Sequence, residues 1–249
     1  MRNKLPLILF GILILFGNAS RANDGVELTE FSKNVTLHVL FHELAHALIR
    51  EFDLPVLANE EAMADTFSTI WVTKTLQDQA PDIVMARVRS WLYEDAEVSP
   101  ADYDFKGEHL LDIRRAYQAA CLFYGLSPAD YRKIIKWLKF SKNDLADCSD
   151  TAPDQEKSWI DLLEPYQLPL NKPSQNVKLI YGDGPMKELM AKSGLLSEFT
   201  EQVRLFDWPE KVIVHFDHCD FGASWSRSKR RILLCDDYVL RFVQQGKSL

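Results

Sequence analysis

The spacing of apolar residues changes once along the chain, and this change limits the fold more than any other feature. Over the first two thirds, apolar side chains recur every three or four residues, which is typical of helices that bury one face. Helices are predicted over residues 32–52, 59–79, 81–94, 108–124, 127–140 and 154–163. After a stretch at 165–176 that is rich in Pro, Asn and Gln, the pattern indicates strands. These strands are predicted at 177–181, 211–216 and 231–235, with helical stretches at 186–196 and 238–244. We therefore predict an α+β fold, with a mainly helical core and a small antiparallel sheet from the C-terminal third.

The N-terminus has the composition of a secretory signal peptide. A basic start at 1–4 precedes an apolar run at 5–16, and Ser20 and Ala22 are small residues where a signal peptidase reads the chain. The apolar run is short for a membrane anchor, which needs about 20 residues. We predict a signal peptide over 1–22, export to the periplasm or the exterior, and no membrane span in the mature chain.

Cysteine usage and charge agree with an exported protein that does not bind nucleic acid. The four cysteines form two local couples, Cys121 with Cys148 and Cys219 with Cys235, and no CxxC motif is present. In an oxidising compartment, two structural disulfides with these pairings are expected. The formal net charge of −7 argues against a nucleic-acid partner, which usually meets a basic face.

Residues 42–46 read His-Glu-Leu-Ala-His within the first predicted helix. Two histidines four residues apart project from one face of a helix, so that both rings can reach one Zn²⁺ ion. Glu43 lies beside that face, where it can take a proton from a water on the metal. The same five residues can also arise by chance on an amphipathic helix. His38, one turn earlier, is predicted to be a buried structural residue, and alternation places His215 and His218 on different faces of a strand.

A third metal ligand is predicted at the start of the second helix. Glu61 and Asp65 are four residues apart there and share a helix face. Glu61 completes a His₂Glu site, and Asp65 can accept the free N–H of a ligating histidine. Glu60 competes with Glu61 for the ligand role, and both glutamates also suit the positive end of a helix.

These motifs resemble those of gluzincin peptidases such as thermolysin and neprilysin, in which HExxH is followed by Glu-x-x-x-Asp. They are most similar to a bacterial metallopeptidase family of unassigned function, DUF4344. The resemblance covers about residues 35–166 and rests on the segments at 42–47, 54–65, 109–117 and 121–125, with Cys148, Trp159 and 162–165. The chain departs from the family pattern at Ala45 and Ala58, where Gly is usual, and at Arg114, where Gln is usual.

The resemblance implies an exported zinc peptidase that hydrolyses peptides or proteins on a zincin-like core. Zn²⁺ would be held by His42, His46 and Glu61, and Glu43 would act as the general base. His109 matches a family histidine and could stabilise an oxyanion, although a surface or helix-capping role is equally open. Two alternatives remain: a zinc-binding envelope protein without catalysis, and a helical envelope protein in which the motif is accidental.

The C-terminal third raises a question of chain order. Zincin-like enzymes place a small sheet ahead of the HExxH helix, but residues 23–31 here carry no convincing strand. We therefore predict a rearranged order in which residues 167–249 complete the catalytic unit of 23–166. The strands at 211–216 and 231–235 would pack over the motif helix and offer an edge to the substrate. The alternative is an independent C-terminal domain on the 165–176 linker.

Overall fold

The structure is a computed structural model that describes residues 26–57, 59–129 and 137–249. The predicted signal peptide lies outside the described residues, and so do residues 130–136, half of the helix predicted at 127–140. The helices are α1 (Glu30–Glu51), α2 (Glu60–Thr75), α3 (Ala80–Ala96), α4 (Asp112–Leu126), α5 (Lys142–Leu163), α6 (Lys187–Ser193), α7 (Leu195–Val203) and α8 (Asp236–Ser248). The strands are β1 (Val177–Tyr181), β2 (Val212–Asp217), β3 (Ala223–Ser226) and β4 (Arg231–Cys235). The α+β prediction is confirmed.

Local capping sets where the helices begin. The side chains of Thr29 and Asn59 accept hydrogen bonds from backbone N–H groups in the first turns of α1 and α2. Helix α5 begins at Lys142, twelve residues before the predicted start at 154, because Ser141 and Asp144 form a capping box at its N-terminus. Pro153 lies inside α5 and does not end it.

The sheet is mixed, so the prediction of an antiparallel sheet is wrong in this respect. The strand order is β1-β2-β4-β3, with β2 parallel to both neighbours and β3 antiparallel to β4. The parallel pairing of β1 with β2 follows from the helical connection through α6 and α7, since parallel strands need a crossover. Strand β3 was not predicted, because its four residues, Ala-Ser-Trp-Ser, form a short run without a β-branched residue, although they alternate between apolar and polar.

Helix α1 is the central element of the fold. It is buried along most of its length, including the polar residues Thr36, His38 and Glu43. Helices α2 and α3 pack on α1, and so do β3, β4 and α8 from the C-terminal third. One hydrophobic cluster joins both parts of the chain, with the ring of Trp71 in α2 packed at a tilt 5.2 Å from that of Phe206 between centroids. The strand that lines the histidine motif is β3, whereas β2 and β4, which were predicted to supply the substrate edge, are interior strands.

Two disulfides join the elements that the cysteine spacing predicts. Cys121 pairs with Cys148 and ties α4 to α5, while Cys219 pairs with Cys235 and ties the turn after β2 to the end of β4. None of the helices in the described part of the chain is long and apolar enough to cross a membrane.

Candidate metal centre

Three side-chain atoms converge between α1 and α2. The Nε2 atoms of His42 and His46 are 3.1 Å apart, and the Oε2 atom of Glu61 lies 3.1 Å from the first and 3.4 Å from the second. Four-residue spacing on α1 aligns the two rings, and the capped first turn of α2 brings Glu61 to them. The imidazole of His42 is buried, and that of His46 is partly buried.

The outer nitrogen of each histidine is held by a carboxylate. His42 Nδ1 lies 2.8 Å from Asp65 Oδ1, and His46 Nδ1 lies 2.9 Å from Glu60 Oε1. If each Nδ1 carries the proton and donates it to its carboxylate, the Nε2 lone pairs of both rings point to the convergence point. Glu60 is in turn held by the guanidinium of Arg50. Glu60 and Glu61 thus occupy different positions: Glu61 faces the Nε2 atoms and Glu60 faces the far side of one ring.

Asp65 is fixed by a residue that the sequence analysis did not single out. Arg115 of α4 donates from Nε to Asp65 Oδ2 at 2.7 Å and from Nη2 to Asp65 Oδ1 at 2.9 Å. Arg115 holds the pKa of Asp65 well below its usual range against the opposing effect of burial. Arg115 lies within a segment that matches the family, but nothing in its spacing showed that it would reach α2.

The electrostatics of the convergence point favour a cation. Burial alone would lower the pKa of His42, but hydrogen bonds to Asp65 and Glu61 raise it to about 9. The pKa of Glu61 is well below its usual range, because His109, His42 and His46 outweigh the effect of burial. The Nε2 atoms of His42 and His46 are 3.1 Å apart, and two lone pairs at this distance repel each other. A proton or a metal ion between the two nitrogens removes this repulsion.

The size of the triangle fits Zn²⁺. Zinc holds nitrogen and oxygen ligands at about 2.0–2.1 Å, which in a tetrahedral arrangement places the ligand atoms about 3.3 Å from one another. The separations of 3.1, 3.1 and 3.4 Å match that value. The donor set, two imidazoles and one carboxylate, is also the set that leaves a fourth position open in catalytic zinc sites.

His109, in the loop before α4, lies next to the three converging atoms of His42, His46 and Glu61. Its Nε2 atom is 2.9 Å from Glu61 Oε2, and its ring stacks at 6.1 Å from that of His42 between centroids. Ligand atoms of His42, Glu61 and His109 all lie within 4.8 Å of one another. Because the ring of His109 remains half exposed, it can face a bound molecule as well as the metal.

Two cavities lie next to the histidines, and Glu43 lines both of them. One has a volume of about 360 Å³ and the other about 760 Å³. Both are lined by His42, Glu43, His109 and Ala223, so β3 reaches both cavities at its first residue and borders the larger one further along. Together they form a cleft between α1 and the start of β3, and Glu43 borders both of its parts.

A family model supports a metallopeptidase site. The model DUF4344, described as "Putative metallopeptidase", matches residues 9–163, more than half of the chain. The chain belongs to the DUF4344 family. The match includes the histidine motif, Glu61 and His109, and it ends before β1, so that the whole sheet lies outside it. No curated protein and no solved structure matches this DUF4344 chain.

The remaining histidines lie outside the ligand cluster, although His38 lines the smaller cavity. His38 is buried one turn before the motif, where its Nε2 atom lies 3.2 Å from the hydroxyls of Ser68 and Thr69. Burial lowers the pKa of His38 well below its usual value, so this ring is neutral. His215 lies beside Arg231 within the sheet, and His218 pairs with Asp236 at the start of α8.

Proposed function

We propose that this protein is a zinc-dependent peptidase that acts outside the cytoplasm. The observation that carries this proposal is the convergence of His42, His46 and Glu61 at zinc-ligand spacing, with Glu43 beside them in the lining of both cavities. A purely structural zinc site has four protein ligands and no need for a base beside the metal.

The residues around the cleft have distinct tasks in this proposal. Zn²⁺, when bound, polarises the substrate carbonyl and lowers the pKa of a water that it coordinates. Glu43 takes the proton of the attacking water and delivers it to the leaving amine. His109 donates a hydrogen bond to the oxygen that becomes negatively charged. Asp65 and Glu60 keep the rings of His42 and His46 in the ligating tautomer.

Strand β3 gives the cleft a means to hold an extended peptide. It is an edge strand, paired with β4 on one side only. Its free edge presents backbone N–H and C=O groups that can pair with an extended substrate. In this proposal residues 167–249 complete the catalytic unit and do not form a separate domain.

Export is supported by two features of the chain. Both disulfides are of the kind that persists in the periplasm or outside the cell. The basic and apolar segments at 1–16 have the form of a secretory signal.

The test combines metal analysis with cleavage assays on the mature, disulfide-bonded chain. We expect one zinc per chain, lost when His42 and His46 are both replaced by Ala. Glu43→Gln should keep the zinc and lower peptide cleavage by about 10²- to 10⁴-fold. Glu30→Gln, at the exposed start of the same helix, is the matched control and should change neither property.

Three results would contradict the proposal. A zinc content that stays near one per chain after the double histidine substitution would show that the metal binds at another site. An unchanged rate of peptide cleavage by the Glu43→Gln variant would show that Glu43 is not the general base. One zinc per chain without cleavage of any peptide in a proteome-derived mixture would favour the non-catalytic zinc-binding protein.

A further inference from the structure

The smaller cavity of the cleft ends in a cluster of arginines. Its 360 Å³ extend from Glu43 and His42 to a wall formed by α3, α4 and α8. Arg87, Arg115 and Arg241 line this wall together with Tyr238. At about 30 Å³ per water molecule, the cavity has room for about 12 waters, which is ample for one amino acid side chain.

Two of these arginines already have a carboxylate partner. Arg115 is bound by Asp65 through two hydrogen bonds. Arg241 donates to Glu94 at 2.6 Å, and Gln245 donates to the same carboxylate oxygen at 3.1 Å. Their charges are therefore balanced within the protein.

Among the described residues, Arg87 makes no hydrogen bond to a carboxylate and has to share Glu94 with Arg241. Its residue is 4 % exposed, yet its closest carboxylate oxygen, on Glu94, is 4.0 Å from Nη1, beyond hydrogen-bond distance. Nη1 donates a long hydrogen bond of 3.3 Å to Ser90, and Nε is buried with no hydrogen-bond partner among the described residues. The guanidinium carbon lies 4.2 Å from the ring centroid of Trp91, which holds the group in place.

Glu94, the carboxylate nearest to Arg87, is already bound by Arg241, and the unpaired Nε of this buried guanidinium is a reason to look for a ligand. The nearby hydroxyl of Tyr238 can join it, because burial raises the pKa of Tyr238 and keeps the hydroxyl protonated as a donor. Asp220 and Asp237 also line the cavity, but both are exposed at its mouth, where solvent screens them.

We propose that this cavity is a specificity site that binds a carboxylate group of the peptide substrate through Arg87. This inference rests on the proposed peptidase function. The carboxylate belongs either to an acidic side chain near the scissile bond or to the C-terminus of a short peptide. Arg87 acts here as a binding residue, and its planar fork suits a carboxylate.

The first experiment measures kcat/KM on internally quenched peptides with the zinc-loaded chain. Glu is placed in turn at each of six positions around the cleaved bond and compared with Gln at the same position. A second set compares free with amidated C-termini. We expect a 10- to 100-fold preference for the charged member in one of the two sets, which identifies the source of the carboxylate.

Variants of α3 assign that preference to Arg87. Arg87→Met should abolish the preference by slowing cleavage of the charged peptide alone, and Arg87→Lys should shrink it. Arg89→Met removes the same charge two residues away on the same helix, outside the cavity, and should leave the preference intact. Equal rates for charged and neutral peptides with the wild-type chain would overturn the proposal, and this comparison does not depend on any variant folding. A preference that survives in folded Arg87→Met would overturn it as well.

Binding to the metal-free chain separates this proposal from the peptidase proposal. N-acetylglutamate amide is compared with N-acetylglutamine amide, and N-acetylalanine with its amide, by NMR titration. Arg87-dependent binding of one charged probe without any peptide cleavage would support the cavity and contradict the peptidase function. Peptide cleavage without any preference for the charged peptide or probe, in rate or in binding, would support the peptidase function and contradict the carboxylate site.

Discussion

The ion pair between Arg115 and Asp65 should have two separable effects, one on stability and one on metal affinity. The two side chains are only 10 % and 13 % exposed, so solvent screens their attraction little. Their charge centres lie about 4 Å apart, which corresponds to about 4 kcal/mol at an effective dielectric constant of about 20. Removing one partner of a buried pair typically costs about 3–5 kcal/mol. The lower end of this range applies here, because Arg115 also lies 3.5 Å from Asp112 and Asp65 also pairs with His42.

We therefore expect Asp65→Asn and Arg115→Met each to lower the free energy of unfolding by about 3 kcal/mol. The double variant should lose about the same amount and not twice as much, because neither charge is then left unpaired. Urea denaturation with EDTA measures this coupling in the metal-free chain. Single-variant losses that add to within about 0.5 kcal/mol in the double variant would refute it.

Zinc affinity should depend on Asp65 and far less on Arg115. Asp65 contacts His42 directly, so Asp65→Asn should weaken zinc binding by about 10- to 100-fold in a chelator competition assay. Arg115→Met leaves that contact in place and should weaken binding far less. An equal loss of affinity in both single variants would show that the orientation of Asp65 depends wholly on Arg115.

Two further predictions follow from buried groups and crosslinks. Burial lowers the pKa of His38 in the folded chain. As the pH falls below about 6.5, His38 therefore binds a proton only in the unfolded state. The free energy of unfolding then decreases by up to about 1.4 kcal/mol per pH unit. His38→Gln should flatten the pH dependence of urea denaturation between about pH 6.5 and 5 by that slope, and an unchanged slope would show that His38 is protonated in the fold. Replacing Cys219 and Cys235 by Ser should lower the free energy of unfolding by about 3 kcal/mol, as expected for a loop of 16 residues, and should slow peptide cleavage, because residues 220–223 line the cleft. Replacing Cys121 and Cys148 by Ser should cost at least as much stability without slowing cleavage by the folded chain, and equal effects of both pairs on cleavage would contradict this distinction.

Local patterns in the sequence determined most of the helical part and the centre of the candidate site. The spacing of His42 and His46 requires one helix face, and the same periodicity places Glu61 and Asp65 one turn apart on the next helix. Disulfide pairing also followed from the short separations along the chain.

Non-local contacts decided the rest. Strand β3 alternates between apolar and polar over only four residues, which is too short a run to predict a strand, and it is held by hydrogen bonds to β4 and by packing on α1. The parallel order of β1, β2 and β4 depends on how α6 and α7 cross the sheet, which no local spacing encodes.

The same distinction holds within the cleft. The choice between Glu60 and Glu61 is set by how α2 packs against α1, because adjacent residues point about 100° apart on a helix. Arg115 and Arg87 come from helices α4 and α3, and only the packing of those helices on α1 brings their guanidinium groups to Asp65 and to the cavity. The sequence by itself thus determined which residues could bind a metal, whereas the tertiary structure decided what surrounds them, since charges distant along the chain meet only when the helices pack.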